Sequence, residues 1–546
     1  MKVNTSKLPN GVQELHKMIR QMAADHEAQL RGLQKSLQKE RNERIEQQNK
    51  ALEYFEELQL MRRRLFGRSA ERLSEEDRKQ LWLFNEAEVI AAREQPKQEQ
   101  ERVPVRAHTR IKRGRKPLPA DLPRVEMIHD IPEEQKICGC GEALTRIGEE
   151  VCEKLEIIPA QVRVRRHVRP KYACKTCEGS GDEENPAVRI APAVKQILPK
   201  SIASPALIAY MLVAKFCDAL PFYRQERQFQ RMGVDVSRQD MANWTIAVYR
   251  RIEPLVQLLR MQIRSGPVVG IDETTVQVMD EPGRANTSQS YIWVFLGGEP
   301  EHPVVEYQYH PTRSSRVPLQ YLKDYRGTIQ TDGYEGYGEL GRQPGIVHSG
   351  CWAHARRKFF EARVVSKQTG SADEALARID RLFRVERELR DQDLAPEVFV
   401  QRRREEVTPI LEKLRSWLEN RQPQVPPSTL LGKAIRYAVD EWPKLLRYLD
   451  SPYLRPDNNA CERAIRPFVI GRNNWKISGS PTGATASAAW YSLIESSKLN
   501  DVEPYLYLRC ILSRLPESTD PDDYRALLPW NIDKSQLLDF DAGHLF

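Results

Sequence analysis

The run Val268-Val269-Gly270-Ile271-Asp272-Glu273-Thr274 constrains the fold of this chain more than any other stretch. β-Branched residues flank a carboxylate, and Val276 and Val278 continue the pattern. Such a run specifies a buried strand that delivers an acid to its accessible end. A second strand-like segment, Gly327-Thr328-Ile329-Gln330-Thr331-Asp332-Gly333-Tyr334, also ends on an Asp. The Gly behind it permits a sharp exit that leaves the carboxylate open.

Between these acids lie two more strand-like runs, Tyr291 to Leu296 and Val304 to Tyr309, and then a helical stretch through Leu319 and Leu322. Three strands in meander order, a helix and a further strand make the ribonuclease-H-like plan, with Asp272 and Asp332 on neighbouring strands. A third acid follows in Arg455 to Arg466. Asp457 or Asn458 caps a helix there, and Glu462 projects from it beside Arg463 and Arg466. Three carboxylates drawn from distant positions can hold two Mg²⁺ ions about 4 Å apart, polarise a scissile phosphate and activate water or a 3′-hydroxyl. Mg²⁺ (or Mn²⁺) suits carboxylates, water and phosphate oxygens. Taken singly, an Asp at a strand end is usually a turn residue; the order and setting of the three carry the inference.

Composition narrows the partner. With 40% apolar and 29% charged residues, most of the 546-residue chain folds, as several domains. The net charge of +8 is clustered at Arg62-Arg63-Arg64, Arg110 to Lys116, Arg163 to Lys171 and Arg356-Arg357-Lys358. Such clusters favour a polyanion, with solvated faces as the plain alternative. Nine cysteines without a disulfide framework fit a reducing compartment. No run approaches the roughly 20 apolar residues of a membrane span, and Met1 to Asn10 lack a leader's apolar core. The expectation is a soluble, cytoplasmic protein without membrane contact.

The expected organisation is α/β and multidomain. Residues 1–90 read as helical, with Leu30, Leu33 and Leu37 at three-four spacing and Ile45 and Leu52 a heptad apart. The slipping register fits a coiled coil with stutters, hence a homo-oligomer, or else a lone amphipathic helix. Residues 91–123 read as a basic, Pro-rich linker. Its Arg113 and Arg115 flank a Gly, as a minor-groove contact requires, although a solvated linker reads the same. Residues 124–186 read as a zinc-ribbon-like DNA-binding domain. Cys138, Cys140, Cys174 and Cys177 would be its Zn²⁺ ligands, with Arg165 and Arg166 beside them; reduced, unliganded thiols are the alternative. Residues 187–264 read as helices for DNA contact or packing. Residues 265–490 are the catalytic core, with a helical insertion at about 371–450. Residues 491–546 form a C-terminal helical domain. His354, Arg356, Arg357 and Lys358 read as a basic helix near Asp332 that can hold substrate phosphates. His348, Cys351 and His354 also have the spacing of a second zinc set.

Several motifs together resemble the DDE transposases of the insertion-sequence sixty-six family. They are Gly270-Ile271-Asp272-Glu273-Thr274, Thr331-Asp332-Gly333-Tyr334, Gly350-Cys351-Trp352-Ala353-His354-Ala355-Arg356-Arg357-Lys358-Phe359 and Asp457-Asn458-Asn459-Ala460-Cys461-Glu462-Arg463. Leu65 to Ser69, Arg115 to Pro119, Lys171 to Cys174 and Glu503 to Leu508 extend the likeness along nearly the whole chain. The resemblance implies a coiled-coil N-terminus, a zinc-binding segment, the catalytic core and a short C-terminal domain. It assigns Asp272, Asp332 and Glu462 as the triad. It implies DNA as substrate, as element ends and target, and companion proteins encoded by the element. The chain departs at Cys138-Gly139-Cys140, where the family often has one more residue between the cysteines. A metal-dependent nuclease on the same fold, or an inactive DNA-binding copy, is the competing function.

Overall fold

In the computed structural model, the described residues are 11–66, 102–105, 108–111, 161–173, 188–365, 370–535 and 537. The chain divides into two compact units. One comprises Met1–Asn85, Pro192–Arg231 and Asp235–Phe546, and the other Glu86–Ala191 with Met232–Val234.

The larger unit is built on a sheet whose spatial order is His302–His310, Gln289–Glu299, Val268–Val278, Gly327–Gln330, Ile346–Ser349. The first three strands pair antiparallel, as expected of a meander, and the last two join in parallel. The strand Val268–Val278 is central and largely buried, with Val269, Ile271, Val276 and Val278 at 2% exposure or less. Its parallel neighbour stops early: Gly270 pairs with Gln330, and the register ends there. Further along, Ile477–Ser478 pairs with Gln277 and Val278. The flank of the central strand between these partners is therefore free for another element.

The sheet's outer strand, His302–His310, is closed by the helix Pro481–Leu499. Ala and Ser dominate that helix, so its backbone can approach the strand closely. Ser496 Oγ accepts from Val305 N at 3.1 Å and Ser492 Oγ from Tyr307 N at 2.8 Å. Side-chain hydroxyls thus satisfy an edge that would otherwise be open to another strand. The helix Arg238–Ser265, capped by Ser237, packs along the same side.

Between Ser349 and Asn459 the chain forms a helical insertion: Ser371–Arg390, Pro396–Arg421 and Leu430–Asp440, packed with Trp352–Val365. It has its own core of Trp352, Phe359, Ile379, Leu382, Leu414 and Leu418. Arg403 lies within that core at 0% exposure. Its guanidinium pairs with Glu386 and donates to the carbonyls of Tyr448, Ser451 and Leu454. That fan of bonds fixes the segment that returns the chain to Glu462.

The N-terminal helix Val12–Phe66 spans 55 residues, on the order of 80 Å at the α-helical rise. Leu30, Leu33, Leu37, Ile45 and Leu52 are exposed along it. Near its end Glu56 Oε2 accepts from Leu430 N at 2.7 Å, and Glu53 pairs with Lys433 at 2.7 Å. In the smaller unit, Arg102–Val105 pairs with His108–Ile111 and Lys171–Tyr172 with Arg189–Ile190, both antiparallel. The stretch read as a linker thus contains a short hairpin. No helix among the described residues is long and apolar enough to cross a membrane.

Arg403→Leu leaves Glu386 buried with a weakened partner set. It should cost about 3–5 kcal/mol in chemical denaturation, and the double change Arg403→Leu with Glu386→Leu should recover most of it. A loss under about 1 kcal/mol for the single change would contradict this.

Candidate active site

The acid-bearing elements meet on the free flank of the central strand. Just past the end of its parallel partner, Ile271 presents a carbonyl to which Asn458 Nδ2 donates at 3.1 Å. Asn458 precedes the helix Asn459–Trp475. Its side chain is thereby committed to the strand, and Asp457 Oδ1 accepts the helix's Asn459 N at 3.0 Å instead. At the other end of the helix, Arg472 donates to Thr274 Oγ1 at 2.9 Å and to Thr275. The helix is pinned along the strand at both ends.

The fit depends on Gly270. A Cβ there would lie 3.0 Å from Asn458 Oδ1 and 3.3 Å from Cys461 Cβ, so a larger residue pushes the helix off the strand. With the helix seated, Glu462 on its first turn is buried at 3% exposure. Asp332 follows the strand Gly327–Gln330, its Oδ1 accepting from Tyr334 N at 3.0 Å. Asp272 is half-buried on the central strand. Its carboxyl is held well above the ordinary carboxylate value, first by burial and then by the nearby charges of Glu273, Glu462 and Asp332. The three sequence-predicted acids therefore share one electrostatic neighbourhood.

Glu273 alternates to the other side of the strand. It is buried, pairs with Arg313 at 2.6 Å and accepts from the Tyr337 hydroxyl. Burial still raises its carboxyl above the usual value despite the pull of Arg313. Arg313 lies 3.7 Å above the Tyr334 ring, and Tyr334 OH donates to Arg313 O. This network ties the loop that carries Asp332 to the strand that carries Asp272.

Two helix starts converge here. Trp352 N donates to Pro456 O at 2.8 Å, which ties the start of Trp352–Val365 to the approach to Asn459–Trp475. Helix N-termini carry partial positive charge and favour carboxylates and phosphate. Glu462 Oε1 and His354 Nδ1 are buried and have no hydrogen-bond partner among the described residues. A buried carboxylate oxygen without a donor, set among further acids, is a donor set suited to a divalent cation.

The description "Transposase IS66 family" matches residues 200–486, which contain all three acids. The chain belongs to this family. Further matches are the zinc-finger binding domain of IS66 transposases at 135–178, "Transposase C of IS166 homeodomain" at 53–127 and the IS66 C-terminal element at 492–530. The chain is similar to uncharacterized proteins of Sinorhizobium fredii. y4jD is 34% identical over 76% of this chain and 81% of its own length, and y4qI is 30% identical over 96% and 97%. An IS66-family transposase binds DNA, and the family implies a divalent metal.

Other predicted residues of this transposase distribute differently. Arg356 pairs with Asp380 at 2.6 Å and Arg357 with Glu361 at 3.6 Å, each with a side chain only 13% exposed. Lys358 Nζ sits 4.7 Å above the Tyr437 ring, and Tyr437 in turn packs against Gly333 beside Asp332. Arg463 is exposed and Arg466 half-buried, both on the Glu462 helix. Arg165 and Arg166 are exposed in the smaller unit. Arg113, Arg115, Cys138, Cys140, Cys174 and Cys177 lie outside the described residues. Sequence reasoning missed Glu273, Arg313 and Tyr337, and it read the stretch from Arg472 to Lys476 as a DNA contact, whereas Arg472 bonds Thr274 and Thr275. The only available signal was the alternation that sends Glu273 to the opposite side from Asp272.

An acid whose folded pKa is raised stabilises the fold at low pH and loses that contribution as pH climbs through the raised value. With no divalent cation added, stability should therefore fall as pH rises from about 4 toward neutrality. Asp272→Asn should flatten that slope in denaturation series across pH; an unchanged slope would show that the carboxyl is not so crowded.

Proposed function

We propose that this transposase cleaves the ends of an insertion sequence and joins them to target DNA by in-line transesterification, with Asp272, Asp332 and Glu462 as the catalytic carboxylates on a ribonuclease-H-like core. The observation that carries the reading is that Asp272 on the central strand, Asp332 just past its parallel neighbour and Glu462 on the helix bonded to Ile271 gather on one flank of that strand although they lie far apart in sequence. The strand order, three antiparallel and two parallel, supports the core assignment. The carboxylates would hold Mg²⁺ or Mn²⁺, which supply Lewis-acid stabilisation of the scissile phosphate and a more acidic nucleophile.

The chain's own groups do the positioning. Asn458 and Arg472 hold Glu462 to the strand, and the Glu273–Arg313–Tyr337 network holds the Asp332 loop. Arg463, Arg466 and Lys358 are the groups near the acids that we assign to DNA phosphates; His354, read from the sequence as another, faces Glu462 instead. Arg356 and Arg357 act through the helix they stabilise. Cys138, Cys140, Cys174 and Cys177 are assigned to a structural Zn²⁺, and Arg113, Arg115, Arg165 and Arg166 to end recognition. The apolar line along Val12–Phe66 supports self-association through a coiled coil. We assign the protein to the bacterial cytoplasm and nucleoid, acting with companion proteins of the element, and keep the domain boundaries drawn from the sequence.

Asp272→Asn, Asp332→Asn and Glu462→Gln should each lower both nicking and joining of paired terminal DNA by about three orders of magnitude or more while leaving end binding intact. Cleavage without joining by the unaltered protein would favour the nuclease reading. Undiminished cleavage by any one variant would remove that acid from the triad.

A further inference from the structure

The second zinc spacing noted in the sequence is not assembled as such, because His348 Nε2 is engaged with Thr331 Oγ1 at 2.8 Å. The fold brings Glu462 to the remaining pair instead. One donor atom each from Cys351, His354 and Glu462 lies within 4.8 Å of the others. Cys351 and Glu462 are 1% and 3% exposed. His354 Nδ1 and Glu462 Oε1 are 3.6 Å apart. That gap is too long for a hydrogen bond. It is close to the separation of about 3.4 Å between two ligands bound at about 2 Å to one tetrahedral ion. Both atoms are buried and without a hydrogen-bond partner among the described residues, as two ligands facing one ion would be.

We propose that Cys351, His354 and Glu462 form a site for a borderline divalent cation, of the zinc or cobalt class, beside the Asp272 carboxylate. The inference rests on the preceding functional reading only in that Glu462 serves both sets of ligands. Thiol and imidazole donors select such ions over Mg²⁺, which takes hard oxygens. Burial, and then the charges of Glu462 and Asp457, hold the Cys351 proton on, so its ligating form depends on the cation itself. Cys351 stands at the start of the helix Trp352–Val365, and its Sγ accepts from Asn458 N at 3.2 Å. Amide donors to sulfur and a helix N-terminus both favour the ligating form. Asn458 also donates to Ile271 O, so one residue sets the thiol, the strand and the Glu462 helix in register. Three protein ligands leave a fourth position of a tetrahedral ion for water or a phosphate oxygen, as in catalytic rather than structural sites.

The test uses the full chain, stripped of bound metal with a chelator and then titrated with Co²⁺. Subtracting the spectrum of Cys351→Ser from that of the unaltered protein should leave a thiolate-to-cobalt charge-transfer band that saturates in one step. His354→Gln, which keeps the thiol, should weaken that step at least tenfold, and it carries the test if Cys351→Ser does not fold. No difference band, or a band unmoved by His354→Gln, overturns the proposal and leaves His354 and Glu462 as a bare imidazole–carboxylate contact. Asp272→Asn should keep the band and lose DNA cleavage. If cleavage survives with the band intact, the catalytic assignment fails while the cation site stands; if the band is missing while Asp272→Asn abolishes cleavage, the reverse holds.

Discussion

The hydrogen bond from Asn458 to the Ile271 carbonyl is the contact on which the candidate site depends. A central strand with a neighbour that ends early leaves backbone polar groups on one flank, and buried backbone groups require partners. Here the partner is a side chain at the start of a helix. That helix is brought close enough only because Gly270 has no Cβ. Once it is seated, Glu462 has little freedom: its position follows from Asn458 at one end of the helix and Arg472 at the other. The helical insertion matters for the same reason. Buried Arg403 anchors the carbonyls of Tyr448, Ser451 and Leu454, so the chain reenters the site along a fixed path.

The second constraint is charge. Asp272, Glu273, Asp332 and Glu462 are concentrated around one strand and its exit loops, and the protein neutralises them unequally. Glu273 has Arg313 and Tyr337. The others lie near one another, and burial first and then these like charges raise the Asp272 carboxyl. Like charges held together in a partly dry setting are costly unless a cation or proton joins them. The fold stabilises the arrangement through contacts remote from the acids, including the serine-sealed edge strand and the insertion's own core. It thereby keeps these acids together, an arrangement that bound cations would relieve.

Much of this was legible in the residues. The periodicity of Val268–Val278, Gln289–Glu299 and His302–His310, and the Asp-Gly exit at 332–333, gave strands in the observed order. Glu462 was readable because a capping residue marked the start of its helix. The tertiary uses of polar residues were not readable. Asp457 and Asn458 read alike as helix caps; Asp457 bonds the helix start, whereas Asn458 bonds the strand. Arg356 and Arg357 looked like a solvent-facing basic run, yet each bonds an acid on a face that is largely covered. His348 fitted a metal spacing and is occupied by Thr331. In each case the deciding partner is a side chain or carbonyl that local spacing does not place. The serines of Pro481–Leu499 show the same limit: nothing in their local spacing indicates the strand edge they seal.

The central claim is that acids far apart in sequence share divalent cations. The most direct measurement is anomalous scattering at the manganese edge from crystals of the full chain grown with Mn²⁺ and its terminal DNA. The account predicts manganese peaks contacted by oxygens of Asp272, Asp332 and Glu462 together, with a DNA phosphate alongside. Manganese bound without one of these acids, or Glu462 turned away from Asp272 when DNA is present, would contradict it.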